Sequence, residues 1–425
     1  MVLAEAESQQ QETLLKSLYK IIWPPYASYM SMLTQVRPSL LGRINERQVL
    51  RVLQQLGPLS RAEVVRQTGL SAPTVSKAAA SLMRTGLVEE NDRADNARGR
   101  PAKKLRLACE TTCVLGIVVD AEMCQIVTAG LDGKLLAGRD IQVATPDQYE
   151  ILIDHLVAAV EDLTVGNGWT VLGIGLSMPG LVDYRRQLSV LSPNVPVTNG
   201  QSPAVDLQTR LGIDCVMLQE CHALCLAERQ LGLAQGLDDF AMLEVGTGVG
   251  LGVMSGGNLL IGHNGLAGEI GHITLVDQGL PCGCGNRGCL ETVASDSALA
   301  RRVSRKFGRR LNIQLIIDMV EAGQIDIADE IADNLRFLAI GLAALINLFN
   351  PSTLFVHGRQ FAVDPNFFER LVKETRQRAL PPSFAECRIV QAKGSKTLGA
   401  VAGIIQSLTS AIAPGFTSPM PNFPR

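Results

Sequence analysis

Gly265-Leu-Ala-Gly-Glu-Ile-Gly-His-Ile273, followed by Pro281-Cys-Gly-Cys-Gly-Asn-Arg-Gly-Cys-Leu-Glu291, is the stretch from which the body of this chain is read. Within it His272, Cys282, Cys284 and Cys289 stand in the spacing G-H-x9-C-x-C-x4-C. One imidazole and three thiolates are ligands that Zn2+ prefers, and four of them close its shell with no position left for water. The spacing therefore predicts a structural zinc knuckle. Its glycines let the backbone turn tightly enough for three sulfurs to converge. The metal-free alternative is three buried thiols and an unrelated histidine, because a free cysteine packs as a small hydrophobe. Cys109, Cys113, Cys124, Cys215, Cys221, Cys225 and Cys387 are scattered through apolar segments without ligand spacing, and read as buried thiols.

A second, unrelated signal lies near the other end. Between Arg43 and Arg106 there are 13 Lys/Arg against 6 Asp/Glu, although the chain as a whole carries a net charge of −2. A basic module on an acidic remainder points to nucleic acid. Asn45 is placed to cap a helix whose apolar positions Val49, Leu50, Val52, Leu53 and Leu56 follow the helical period, with Gly57 as its stop. Ser60 and Glu63 form a capping box that opens a second helix, ended by Gly69. Ser71 caps a third, Pro73 sits in its first turn, and Gly86 terminates it. Two short helices joined by Thr68-Gly-Leu-Ser71 are a helix-turn-helix pattern. In the third helix Val75, Ala78, Ala79 and Leu82 share one face, leaving Thr74, Lys77 and Ser81 on another, beside the capping Ser71. Short and basic residues at the N-terminal end suit a helix entering the major groove. Leu87-Val-Glu-Glu90 and Lys103-Lys-Leu-Arg-Leu107 read as strands around a loop carrying Arg93, Arg98, Gly99 and Arg100. This is a wing, whose Arg98 and Arg100 can reach phosphates or the minor groove.

From about Val114 short apolar runs alternate with helical patterns. Val114–Val119, Cys124–Thr128 and Lys134–Ala137, with a turn at Leu131-Asp-Gly-Lys134, predict an antiparallel meander. Tyr149–Leu163 reads as a helix, Val171–Leu176 as a buried strand, and Leu243–Val253 as a strand broken by a glycine-rich hairpin. The order predicts two α/β lobes with a cleft between them.

With 425 residues, 46% of them hydrophobic, the chain can bury two or three cores without disulfide staples. Met1-Val-Leu-Ala-Glu-Ala-Glu7 is acidic and lacks the basic and apolar regions of a signal peptide. No apolar run reaches the roughly 20 residues of a membrane helix, so the expectation is a cytoplasmic protein without membrane contact. Leu14–Ile22 reads as a helix broken by Pro24-Pro25, and residues 411–425 as a proline-rich, disordered tail.

These residues resemble the ROK family of sugar kinases and sugar-responsive repressors, over roughly Arg43 to Leu408. The block from Gly265 to Glu291 carries most of the likeness, supported by Met178-Pro-Gly180, Ser192-Pro-Asn194, Gly246-Thr-Gly-Val-Gly250, Asn347-Leu-Phe-Asn-Pro351 and Leu398-Gly-Ala400. A winged helix ahead of this body is similar to the family's repressor branch. The resemblance implies an actin-like (ribonuclease H-like) two-lobed sugar-kinase fold. Residues 1–42 would be an extension, 43–107 the winged helix-turn-helix, 108–230 with 394–410 the first lobe, and 231–393 the second. It implies a homodimer or tetramer, and zinc held by His272, Cys282, Cys284 and Cys289. Glu269 and Glu291 match carboxylates that accept hydrogen bonds from sugar hydroxyls, with His272 offering its second ring nitrogen to the sugar and Asn194 a neighbouring contact.

Departures from the family's kinases are as informative. Leu218-Gln-Glu-Cys-His222 stands where they carry Asn-Asp, whose Asp is the general base, so Glu220 keeps a carboxylate one methylene longer and Gln219 can still hold a hydroxyl. A misplacement of about 1 Å costs on the order of 100-fold in rate. The first phosphate loop, D-x-G-G-T in the kinases, is replaced by Val118-Val-Asp-Ala-Glu122, where Asp120 and Glu122 would repel phosphate. The second loop, Gly246 to Gly250, survives but serves equally as a tight turn, and His357-Gly-Arg359 replaces paired glycines near the adenosine. The expectation is a DNA-binding transcription regulator, a repressor on operator DNA, whose kinase-like body binds a sugar or amino-sugar effector without catalysis. An active ATP-dependent sugar kinase with an appended DNA-binding domain, and a regulator controlled by a protein partner, are the alternatives.

Overall fold

The computed structural model describes residues 38–91, 103–164 and 168–410. The helix expected at 14–22, the wing tip with Arg93, Arg98, Gly99 and Arg100, and the tail 411–425 lie outside the described residues.

The basic module is α1 (Pro38–Leu56), β1 (Leu59–Ser60), α2 (Arg61–Thr68), α3 (Ala72–Arg84), β2 (Val88–Asn91) and β3 (Lys104–Leu107). Its strands form a small antiparallel sheet in the order β1-β3-β2, the base of the wing. The capping box forms in full: the Ser60 amide donates to Glu63 Oε2 at 2.8 Å, and the Glu63 amide donates to Ser60 Oγ at 3.3 Å. Gly69 ends α2 in the left-handed region at φ 69°, where a Cβ would be strained. Asn45 does not cap the first helix. The described helix already runs from Pro38, so Asn45 lies within it.

The first lobe follows after a short link. β4 (Thr112–Val118), β5 (Met123–Ala129) and β6 (Leu135–Ala144) make the expected meander, with β6 running well past Ala137 across a bulge opposite Val127–Ala129. Next come α4 (Tyr149–Thr164), β7 (Thr170–Met178), the ribbon β8 (Leu181–Asp183) and β9 (Leu188–Leu191), α5 (Pro203–Leu211), β10 (Cys215–Gln219) and α6 (Glu220–Leu231). The sheet order is β10-β7-β4-β5-β6, and β7 runs parallel to both β4 and β10. Leu115, Ile117, Ile126, Leu152, Leu156, Leu176 and Met217 fill its core.

The second lobe has β11 (Phe240–Val245), β12 (Val249–Ser255), β13 (Asn258–Leu259), α7 (Glu291–Ala294), α8 (Asp296–Phe307), α9 (Ile313–Glu321), α10 (Ala328–Phe349), β14 (Thr353–Gly358), α11 (Phe367–Arg376), α12 (Pro381–Glu386) and β15 (Arg388–Gln391). Its sheet order is β13-β12-β11-β14-β15. The chain then returns to the first lobe as α13 (Lys396–Ser410). α10, with 22 residues, is long and apolar enough to cross a membrane by length and composition alone, contrary to the reading that no such stretch exists. It is a core helix here: Leu335, Leu338, Leu342, Leu345 and Ile346 are buried among the second lobe's apolar side chains.

α13 and α6 lie together between the two sheets, and glycines set the spacing. A Cβ on Gly175 of β7 would collide with the Ala400 carbonyl of α13; one on Gly399 of α13 would lie 2.7 Å from Ala223 of α6. A Cβ on Gly252 of β12 would strike α6 at Cys221 and Cys225. Backbone therefore packs on backbone from one sheet to the other.

Candidate metal centre and ligand cleft

The knuckle is closed by its own backbone. The Cys282 amide donates to the Asn286 carbonyl at 2.8 Å and the Gly285 amide to the Cys282 carbonyl at 3.1 Å, with Gly285 at φ 95°. His272 ends a short 3-10 helix, Ile270–His272, which aims its ring into the turn. The ligand atoms of His272, Cys282, Cys284 and Cys289 all lie within 4.8 Å of one another and could hold a metal ion. His272 Nδ1 is 3.4 Å from Cys282 Sγ, and Cys284 Sγ is 3.8 Å from Cys289 Sγ. A tetrahedral centre with metal–sulfur bonds of about 2.3 Å has sulfur–sulfur edges of about 3.8 Å, so the donor set fits Zn2+ in kind and in size.

The other ring nitrogen faces Glu269. His272 Nε2 is 3.6 Å from Glu269 Oε2, and Gln219 Nε2 donates to Glu269 Oε1 at 2.9 Å. Glu291 Oε1 lies 2.8 Å from Cys282 Sγ and 3.6 Å from His272 Nδ1. Gln219, Glu269, His272 and Glu291 thus form one contiguous polar wall ending at the cysteines. Burial raises the Glu269 carboxyl above the usual range against the pull of Gln219 and His272. Gln219 Oε1 is buried and has no protein partner. The half-buried Asn194 sits in the turn ahead of the 3-10 helix Pro196–Thr198, and its neighbour Pro193 abuts Gly283 of the knuckle.

Sequence reasoning missed the support behind this wall. The Tyr184 hydroxyl accepts the Gln219 amide at 2.9 Å and lies 2.7 Å from His222 Nδ1, to which it is placed to donate. Burial pushes His222 down to about 4, so the ring is neutral, and its proton then sits on the buried, unpartnered Nε2. A tyrosine in a loop gives no sequence cue to a partner on a distant helix.

Glu220 stands where β10 passes into α6, largely shielded from solvent. It opens α6 with its side chain 13% exposed and Lys396 Nζ 2.6 Å from its Oε1. Lys396 also reaches Glu244 Oε1, at 2.9 Å. Burial raises the Glu220 carboxyl to about 7, with the neighbouring Glu244 adding to the effect. Sequence reasoning also missed Glu244, although a signal was there: it is the single charge in the strand Phe-Ala-Met-Leu-Glu-Val, and a carboxylate in an apolar strand demands a cation.

The phosphate side carries several acidic side chains, with Lys396 and Arg359 as the cations acting on them. The bend at Asp120–Glu122 is exposed, with Asp120 Oδ1 accepting the Ala121 amide at 2.7 Å. The hairpin between β11 and β12 is walled in: a Cβ on Gly248 would lie 2.9 Å from Glu291 Oε2, and one on Gly246 3.2 Å from Glu244 Oε1. The Gly246 carbonyl accepts the Asp296 amide at 2.8 Å, and burial lifts the Asp296 carboxyl to about 7. The hairpin glycines serve close packing against these side chains.

In the winged helix, Ser71 and Lys77 are exposed, whereas Thr74 and Ser81 are half-buried; Ser76, Ala80 and Arg84 of α3 are exposed as well. The Ser71 and Thr74 hydroxyls bond each other at 2.8 Å.

Fold and site together define a two-lobed α/β body of the sugar-kinase type behind a winged helix-turn-helix. The chain belongs to the ROK family, whose model matches residues 114–406, and the MarR family model matches residues 41–99. It is 28% identical to the xylose repressor of Bacillus spizizenii over 353 residues, covering 81% of this chain and 89% of that one. It is 29% identical to the N-acetylglucosamine repressor of Shigella flexneri over 333 residues, covering 75% and 81%. Among solved structures it is similar to a ROK family transcriptional regulator, a homologue of the Escherichia coli MLC protein, with a TM-score of 0.76 and 25% identity over 88% of this chain and 98% of that one. A ROK family glucokinase from Streptomyces griseus, solved with glucose and AMPPNP, matches at a TM-score of 0.62 and 26% identity over 69% and 99%.

Proposed function

We propose that this protein is a transcription repressor that binds operator DNA through its winged helix and is released or retained by a sugar or amino-sugar in the cleft, without phosphorylating it. The observation that carries this reading is the division of the cleft. Its sugar side keeps the wall Gln219–Glu269–His272–Glu291, rich in acceptors for hydroxyl groups. Its phosphate side is lined by Asp120, Glu244 and Asp296, and the one lysine there is engaged by Glu220 and Glu244. The exposed Asp120 and the Glu244 carboxylate, with the lysine between them already committed, disfavour a nucleotide polyphosphate, and Asp296 adds full negative charge only above about pH 7.

The metal is Zn2+, and its role is structural: held by His272, Cys282, Cys284 and Cys289, it fixes the imidazole that presents Nε2 to the ligand. Repressor relatives named for xylose and N-acetylglucosamine support the ligand class. Lys77, Ser71, Thr74 and Ser81 of α3, with Arg98 and Arg100 of the wing, are the proposed DNA contacts, and a homodimer or tetramer presents two such modules to paired half-sites. A ligand that prefers one lobe arrangement alters DNA affinity by its differential binding energy, and about 1–3 kcal/mol gives a change of roughly 5–150-fold. The test is operator binding titrated with D-xylose, D-glucose and N-acetylglucosamine, alongside an ATP-coupled turnover assay with the same sugars. ATP-dependent turnover would overturn the non-catalytic reading.

A further inference from the structure

The Glu220–Lys396–Glu244 triad sits where both lobes and the route to the DNA-binding module meet. Lys396 opens α13, a 15-residue helix about 22 Å long. Glu244 belongs to the central region of the second sheet, between Leu243 and Val245 of β11. The side chains of Lys396, Glu220 and Glu244 are 25%, 13% and 8% exposed. Burying three charges is a poor way to add stability, because desolvation offsets the attraction and apolar side chains of like volume serve as well. What such a contact supplies is a defined geometry between the parts it joins.

The other end of α13 is apolar. Val401, Ile404 and Ile405 share one buried cluster with Val49, Leu50 and Leu53 of α1, Val75 and Leu82 of α3, and Leu105 of β3. Along its length α13 lies against β4 and β7, where Gly116, Gly173 and Gly175 leave no room for slack. The winged helix is further pinned to the first lobe by Thr112 Oγ1 donating to the Gly86 carbonyl at 3.1 Å and by the Cys109 amide donating to Glu89 Oε1 at 3.3 Å.

We propose that the Lys396–Glu244 pair is the contact that couples the lobes to the winged helix, with α13 as the rigid lever between them. A ligand that changes how the second lobe sits on the first moves Glu244 relative to α6, and the ion pair carries that displacement into α13. The helix then shifts the apolar face on which α1 and α3 rest. The pair positions the DNA-reading helix and touches neither sugar nor DNA. The proposal rests on the ligand-responsive regulator reading above.

The test uses the full-length chain with Glu244→Leu, which cuts the contact and leaves the Lys396–Glu220 pair intact, and Glu244→Gln, which keeps an acceptor for Lys396. Operator affinity is measured with and without D-xylose, D-glucose and N-acetylglucosamine, and amide hydrogen exchange is followed across α1, α3 and α13. The expected result for E244L is sugar binding within about threefold of wild type, a ligand-induced change in operator affinity cut to about twofold or less, and faster exchange in α1 and α3. E244Q retains most of the response. A lowered melting temperature in E244L with the response intact would mean a merely structural role and would overturn the proposal. If none of the sugars shifts the wild type, the effector reading fails by itself; hydrogen exchange then decides the lever, and unchanged exchange in α1 and α3 of E244L refutes it.

Discussion

His272 places Nδ1 3.4 Å from Cys282 Sγ and Nε2 3.6 Å from Glu269 Oε2, so one imidazole ring stands between the knuckle cysteines and the Glu269 carboxylate. A metal held by these ligands would therefore set the orientation of the wall. Replacing Cys284 by Ala is expected to lower metal content to near zero, destabilise the second lobe and weaken sugar binding by at least about tenfold. Metal analysis combined with calorimetric sugar titration checks this; a C284A protein with normal zinc and normal sugar affinity would refute it.

Glu269 accepts from Gln219 through Oε1 and sets Oε2 3.6 Å from His272 Nε2. A hydrogen bond to a charged group contributes about 1.5–3 kcal/mol. Glu269→Ala should therefore cost about tenfold to a hundredfold in sugar affinity while leaving ligand-free operator binding and metal content unchanged. Equal losses in sugar and DNA binding would instead indicate global damage.

Lys77 is the exposed basic residue near the start of α3. Substitution by Ala is predicted to weaken operator binding and to reduce the slope of log affinity against log salt by about one, as for the loss of a single phosphate contact. An unchanged slope together with relaxed sequence preference would assign Lys77 to a base edge.

The local features were the legible ones. The Ser60–Glu63 box, the Gly69 stop and the Ser71 cap each depend on residues within a turn of one another, and the structure forms all three. The knuckle was legible because His272 and its cysteines lie in one short segment. The start of α1 was not, since Asn45 is a good cap that a longer helix simply runs through. The glycines at 246–250 have two readings in sequence, phosphate cradle or tight packing, and only the neighbours Glu244, Glu291 and Cys221 distinguish them. Lys396 and Tyr184 find their partners on elements far away in the chain, which no local pattern records.

Asp296 gives a pH dependence with a definite sign. Its carboxyl is raised from 3.8 to about 7 by burial, so between those values the folded state holds a proton that the unfolded state has released. Its contribution to stability is therefore largest below pH 4, falls as pH rises toward 7, and is flat above that. Asp296→Asn should remove this component, on the order of a few kcal/mol, and make denaturant midpoints between pH 4 and 7 less steep in pH. An identical pH profile in D296N would show that Asp296 does not titrate in this range.

The central claim is that sugar binding in the cleft and DNA binding by the winged helix are linked without catalysis. Fluorescence anisotropy of the purified protein on labelled DNA from upstream of its own coding sequence, titrated with salt and then with D-xylose, D-glucose and N-acetylglucosamine, tests it most directly. Specific, salt-dependent binding that one of these sugars shifts by roughly 5–150-fold is the predicted result. Absence of specific DNA binding, with ATP-dependent phosphorylation of a sugar by the same preparation, would contradict it.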